Sequence, residues 1–187
     1  MDLVRSTIER YVPLKEHEWE RVRVCWKELL FPKGEFISRV GDVEHFFYIV
    51  RGGVQRLFFE HDGTSICLGF SYDHSWSGDY ESFLQQKPGR LNVQAITDTA
   101  LVGIDHADLI ALYDEVPAMD RFGRLILEEL LVGRATREIE QIALTAEERY
   151  RKLVQRSPHL LQLVPQKDIA SYLRMTPETF SRLRAKV

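Results

Sequence analysis

The 187 residues suffice for one large domain or a sensing domain with a small appendage, and a hydrophobic content of 44% can fill a core. No apolar run approaches the roughly 20 residues that cross a bilayer. The first ten residues lack the basic-then-apolar layout of a secretory signal, so a cytoplasmic protein is expected and a membrane class is excluded. The net charge of −3 hides an asymmetry: residues 147–187 hold nine lysines and arginines against four acids, a local +5 on a body of −8. That distribution suits a tail that meets a polyanion while the body avoids it.

The first 27 residues read as short helices, with Pro13 between Ile8-Tyr11-Val12 and a Trp19-Val22-Cys25-Trp26 stripe. From Glu28 to about Ile104, short apolar runs alternate with turn signals every 8 to 12 residues: Pro32-Lys33-Gly34-Glu35, Gly41-Asp42, Gly52-Gly53, Asp62-Gly63 and Pro88-Gly89. That spacing indicates an antiparallel sandwich or roll. The strands expected are His45–Val50, Val54–Phe59, Ser65–Phe70, Leu91–Ile96 and Leu101–Ile104, with a short helix over Tyr80–Gln86. Asp62-Gly63 tolerates the positive φ angles of a tight type I′ hairpin turn.

Pro117 suits the first turn of a helix, and no breaker except Gly123 and Gly133 follows until Leu144, giving a helix of about seven turns. Val132, Ala135, Ile139 and Ile142 form a 3-4-3 seam of the coiled-coil type. Phe122, Leu125, Ile126, Leu127, Leu130 and Leu131 form a wider apolar arc. Two apolar faces need two partners, so the arc is expected on the roll and the seam on a second subunit. The other reading is one helix buried inside a single domain. Thr145-Ala146-Glu147-Glu148 is a capping box that starts a further helix, which Ser157-Pro158 ends.

The last 23 residues carry two small apolar faces, Ile169-Ala170-Leu173 and Phe180-Leu183, around a short turn at Arg174-Met175. Thr176 and Pro177 supply an N-cap and a first-turn proline for the final helix. This is the pattern of a helix-turn-helix, whose second helix enters the major groove. With Phe180 and Leu183 inward, Glu178, Ser181 and Arg182 project outward together. An arginine donates in pairs to guanine O6 and N7, and a glutamate accepts from the cytosine amine. Lys167, Thr179, Arg184 and Lys186 then serve backbone phosphates. The Glu178–Arg182 spacing also suits an ordinary surface ion pair worth about 0.3–0.5 kcal/mol.

Taken together, Pro32-Lys33-Gly34-Glu35, Gly41-Asp42, Tyr48-Ile49-Val50-Arg51-Gly52-Gly53-Val54, Asp62-Gly63, Ile169-Ala170-Ser171-Tyr172-Leu173 and Glu178-Thr179-Phe180-Ser181-Arg182 resemble the Crp/Fnr superfamily of bacterial transcription regulators over nearly the full chain. The resemblance implies an α+β architecture in three parts. Residues 1–116 form an antiparallel, cyclic-nucleotide-binding-like β-roll (a double-stranded β-helix) that senses an effector. Residues 117–144 form a dimerisation helix, and residues 145–187 a small all-α helix-turn-helix domain without a wing. It also implies a homodimer on a near-palindromic stretch of double-stranded DNA, with half-sites that contain a TTGA-like core and lie about one helical turn apart. RNA polymerase is a further partner that it admits.

The sequence departs from the family at the effector pocket. Gly78-Asp79 stands where a Gly-Glu pair is expected, Arg90 is followed by Leu91-Asn92, and Arg134-Ala135 falls about where purine-contacting hydroxyls are expected. These residues, with Tyr72, are the candidate effector pocket, and their departures argue against a cyclic nucleotide; another small ligand, or none, is expected. Arg174 stands where the family has glycine, at a cost of roughly 1 kcal/mol if that residue is left-handed. The six histidines form no HxH or HExxH, and there is no GxSxG or Walker A, so neither a metal nor an enzyme activity is expected. Cys25 and Cys67 read as reduced core residues. The rival reading is a ligand-binding or protein-interaction module whose tail no longer binds DNA.

Overall fold

The computed structural model describes residues 1–185. Two short helices, α1 (Asp2–Glu9) and α2 (Glu16–Arg23), flank Pro13. The helix ends at Arg23 rather than running through Trp26, which instead opens β1 (Trp26–Phe31). Trp19, Val22, Cys25 and Trp26 still enter one buried cluster. The other strands are β2 (Phe36–Ser38), β3 (Phe46–Gly52), β4 (Gln55–His61), β5 (Thr64–Ser71), β6 (Trp76–Ser77), β7 (Asn92–Ala95) and β8 (Thr99–Asp105), with α3 (Tyr80–Gln85) between β6 and β7.

These strands make two antiparallel four-stranded sheets, in the orders β1-β8-β3-β6 and β2-β7-β4-β5. Two turns carry the connections. Asp62 (φ 48°) and Gly63 (φ 70°) are both left-handed, as a type I′ hairpin demands. At Gly53 (φ 92°) a Cβ would collide with the Asp98 carbonyl, so the backbone there excludes every other residue. One core cluster, with Tyr48, Val50 and Leu101 packed by Leu29, Phe31 and Ile37, belongs to the strands alone. A second joins the first sheet to the helices, through Phe47, Ile49, Trp76, Val102 and Ile104. Phe47 stacks on Trp76 at 4.4 Å there.

The spacing indicates no helix between Ile104 and Pro117, yet α4 (His106–Glu115) lies between β8 and the long helix. Its cap is Asp105, whose carboxylate accepts from the Ala107 N–H at 2.9 Å. The missed signal was that cap followed by Leu109, Leu112 and Val116, all buried. The long helix, α5, runs Pro117–Ala143. Phe122 and Ile126 are buried in the helix–sheet core, with Leu125 and Leu130 packed against it. Leu131 corrects the expectation, being 68% exposed, while Leu127, at 40%, lines the rim of a groove with Phe47, Tyr80 and Phe83 of the roll. Val132, Ile139 and Ile142 are exposed as well, Ile142 at 80%.

The Thr145–Glu148 capping box forms as expected and starts α6 (Ala146–Arg156). Beyond it come α7 (Leu160–Leu163), α8 (Gln166–Tyr172) and α9 (Pro177–Arg184). Their core is Tyr150, Leu153, Leu160, Ile169, Ala170, Leu173, Phe180 and Leu183, and Val54 of the roll joins it.

Candidate nucleic-acid interface

Helices α8 and α9 are joined by a short turn, at the place where the helix-turn-helix is expected. Thr176 caps α9 by accepting from the Thr179 N–H at 3.3 Å, and Pro177 occupies its first turn. Phe180 packs edge-on against Tyr150 at 5.7 Å, and Leu183 is buried beside it. Those anchors hold α9 so that Glu178, Ser181 and Arg182 are all exposed. The Glu178 carboxylate is held below the usual range by the N–H of its own residue and by the Thr176 side chain, so it stays an acceptor. Lys167 is exposed at the start of α8, Arg184 is exposed, and Thr179 is half-buried. Lys186 lies outside the described residues.

The turn is held by Arg149 of α6. Its guanidinium donates to the carbonyls of Leu173 (2.7 Å) and Arg174 (3.2 Å) at the end of α8, and to Leu144 at the end of α5. A cation at two helix C-termini complements both backbone dipoles. Arg149, counted among the basic residues of the tail, is therefore spent on architecture. Arg174 adopts φ 54°, the left-handed conformation that makes a non-glycine residue costly. Arg174→Gly keeps the carbonyl that Arg149 uses, and urea unfolding is expected to show a gain of up to about 1 kcal/mol. A loss of stability would show that the Arg174 side chain outweighs its backbone strain.

It is α8, not α9, that rests on the roll. A register shift between Leu57/Phe58 on β4 leaves Leu68 of β5 as a bulge, which frees backbone groups from the ladder. C-terminal side chains satisfy them: the Cys67 N–H donates to the Ser171 hydroxyl at 2.9 Å, and Arg137 of α5 donates to the Leu68 carbonyl. Arg56 of β4 pairs with Asp168 at 2.8 Å, their side chains only 17% and 9% exposed. Phe70 meets Tyr172 at 5.2 Å. Glu178, Ser181 and Arg182 of α9 stay exposed.

The candidate effector residues are not brought together. Asp79 is buried, and its carboxylate is spent on the N–H groups of Ser82 (3.2 Å) and Leu91 (3.3 Å). A Cβ at Gly89 would lie 2.6 Å from that carboxylate, so the loop has closed on Asp79. Arg90 points to the surface and pairs with Glu81 at 2.6 Å. Gly78 lies beside Tyr48 and Glu44. Tyr72 bonds the Ser157 hydroxyl and stands edge-on to His159 at 4.6 Å, facing the C-terminal helices. Arg134 is exposed on α5. The family resemblance aligned these residues with a pocket, but the contacts around Asp79 and the docking of the tail direct them elsewhere. Both cysteines are buried and free, and burial pushes the Cys67 thiol up to about 12. Among the described residues there is no cluster of three or more potential metal ligands, and no helix is long and apolar enough to cross a membrane.

Comparison with known proteins agrees with this architecture. Residues 28–116 match the cyclic nucleotide-binding domain family. No curated protein sequence matches the chain. The chain is similar to FixK2 from Bradyrhizobium japonicum, with 22% identity, a TM-score of 0.70, and coverage of 86% of this chain and 83% of that one. It is similar to the catabolite activator protein of Thermus thermophilus at 23% identity and TM-score 0.57, covering 92% and 83%. The c-di-GMP responsive global regulator CLP of Xanthomonas campestris aligns at 17% identity and TM-score 0.66, covering 92% and 91%. By fold, then, this is a cyclic-nucleotide-binding-type β-roll joined by a long helix to a C-terminal helical unit. The likeness to these three proteins, each under 25% identical, is one of fold.

Proposed function

We propose that the chain is a sequence-specific DNA-binding transcription regulator that acts as a homodimer on a near-palindromic operator. The observation that carries this reading is the α9 face: Glu178, Ser181 and Arg182 are presented outward by a capped helix anchored through Phe180 and Leu183. Arg182 and Glu178 read base edges, while Lys167, Thr179 and Arg184 serve phosphates. The exposed apolar stripe of α5, with Val132, Ala135, Ile139 and Ile142 joined by Leu127 and Leu131, meets the same stripe of a second copy. The similarity to a global regulator and to a catabolite activator supports the same reading.

Gel-shift titration on the DNA upstream of its own coding region tests it. Arg182→Ala is expected to weaken specific binding by roughly ten- to a hundredfold, the worth of one paired guanine contact. Equal, weak and strongly salt-dependent binding by both proteins would instead support the module that no longer recognises a sequence.

A further inference from the structure

Between α5, α6 and α8 lies a shallow open cleft, walled by Arg137, Arg149, Lys152, Arg156, Tyr172 and Glu140 among others. Four cations face one acid there. Lys152 and Glu140 satisfy each other at 2.6 Å. Arg149 is compensated by the carbonyl ends of two helices. The remaining two have no carboxylate partner among the described residues. Arg156 donates to the Tyr172 hydroxyl at 2.8 Å, and Arg137 has only the Leu68 carbonyl and the Tyr172 ring, at 4.3 Å. The surroundings of Arg137 are hostile to its charge: burial lowers its pKa, and the nearby full charges, Arg156 and Arg174, are also positive. A half-buried cation left among cations is costly unless an anion completes the site.

We propose that this cleft binds a compact phosphorylated small molecule, held by Arg137, Arg156 and Lys152. Guanidinium groups match phosphate oxygens in paired geometry, and Tyr172 supplies one wall and a hydroxyl. The occupant is a small anion rather than the DNA backbone. Arg137 sits at the floor, between β5 and the Tyr172 ring, while the face that meets DNA is that of α9. Such a ligand touches the long helix, the DNA-binding unit and the arginine that caps the β5 bulge. Resting on the regulator reading, it would be the effector, and it enters at the hinge instead of inside the roll.

Calorimetric titration of the full chain with inorganic pyrophosphate, without DNA and at low salt, tests the site. Saturable binding at one site per chain is expected. Arg156→Gln, an exposed position that leaves folding intact, weakens it roughly tenfold or more, the worth of a charge-assisted hydrogen bond. Arg151→Gln, on the same helix but outside the cleft and paired with Glu147, leaves binding unchanged, and Glu140→Gln tightens it. Absence of saturable heat, or equal loss in Arg151→Gln and Arg156→Gln, would overturn the proposal. Since no DNA is present, either result leaves the operator-binding reading standing. Conversely, a protein that binds pyrophosphate but no operator overturns the regulator reading alone.

Discussion

Asp168→Ala is expected to lower the unfolding free energy by about 3 kcal/mol, the low end of what breaking one partner of a buried ion pair costs. The cause is Arg56, whose guanidinium sits 4.0 Å over the Phe58 ring and bonds Asp168 on one side and the neutral Gln94 oxygen on the other (2.8 and 3.1 Å). Without Asp168 the charge stays buried against Gln94 alone. Adding Arg56→Met to the same protein removes the stranded charge, and the double variant is expected to recover most of the loss. Urea unfolding of the two single variants and the double variant measures this cycle. A loss under 0.5 kcal/mol for Asp168→Ala, taken roughly as the size of an ordinary surface change, would mean that the pair contributes nothing to docking α8 on the roll.

Glu44→Gln is expected to flatten the dependence of stability on pH. Glu44 is buried beside Gly78 and Tyr48, and burial raises its pKa to about 7 from the ordinary 4.5. The folded state therefore binds more protons than the unfolded chain across that window. Stability is complete below the unfolded pKa and falls as pH rises through the folded one. The span corresponds to about 3 kcal/mol lost by pH 8 to 9. The amide that replaces the carboxyl cannot ionise and escapes that loss, so the variant is close to the parent near pH 4 and more stable above neutrality. Unfolding curves collected across pH 4–9 decide it. Parallel profiles for the two proteins would place the titration elsewhere.

The parts of the molecule that the sequence alone determined are those settled within a few residues of chain. Asp62-Gly63 made its turn, Pro117 opened the long helix, Thr145 with Glu148 formed its box, and Thr176-Pro177 began α9. Caps, turns and period-bound apolar positions act locally, so spacing reveals them. The outward face of α9 followed from the same logic, because Phe180 and Leu183 could only point one way.

Tertiary structure decided whatever depended on distant partners. Leu131 shared a helical arc with buried neighbours, and only the placement of α4 and the roll showed that it lies outside the contact. Arg56 and Asp168 stand 112 positions apart, and no periodicity joins them. The bulge at Leu68 decided that Ser171 and Arg137 would serve the backbone of β5, and the clasp at the α8 C-terminus turned Arg149 from a tail cation into a cap. A residue's type states what it can bond; which partner it receives is set when packed elements exclude water and leave each buried polar group one neighbour to satisfy.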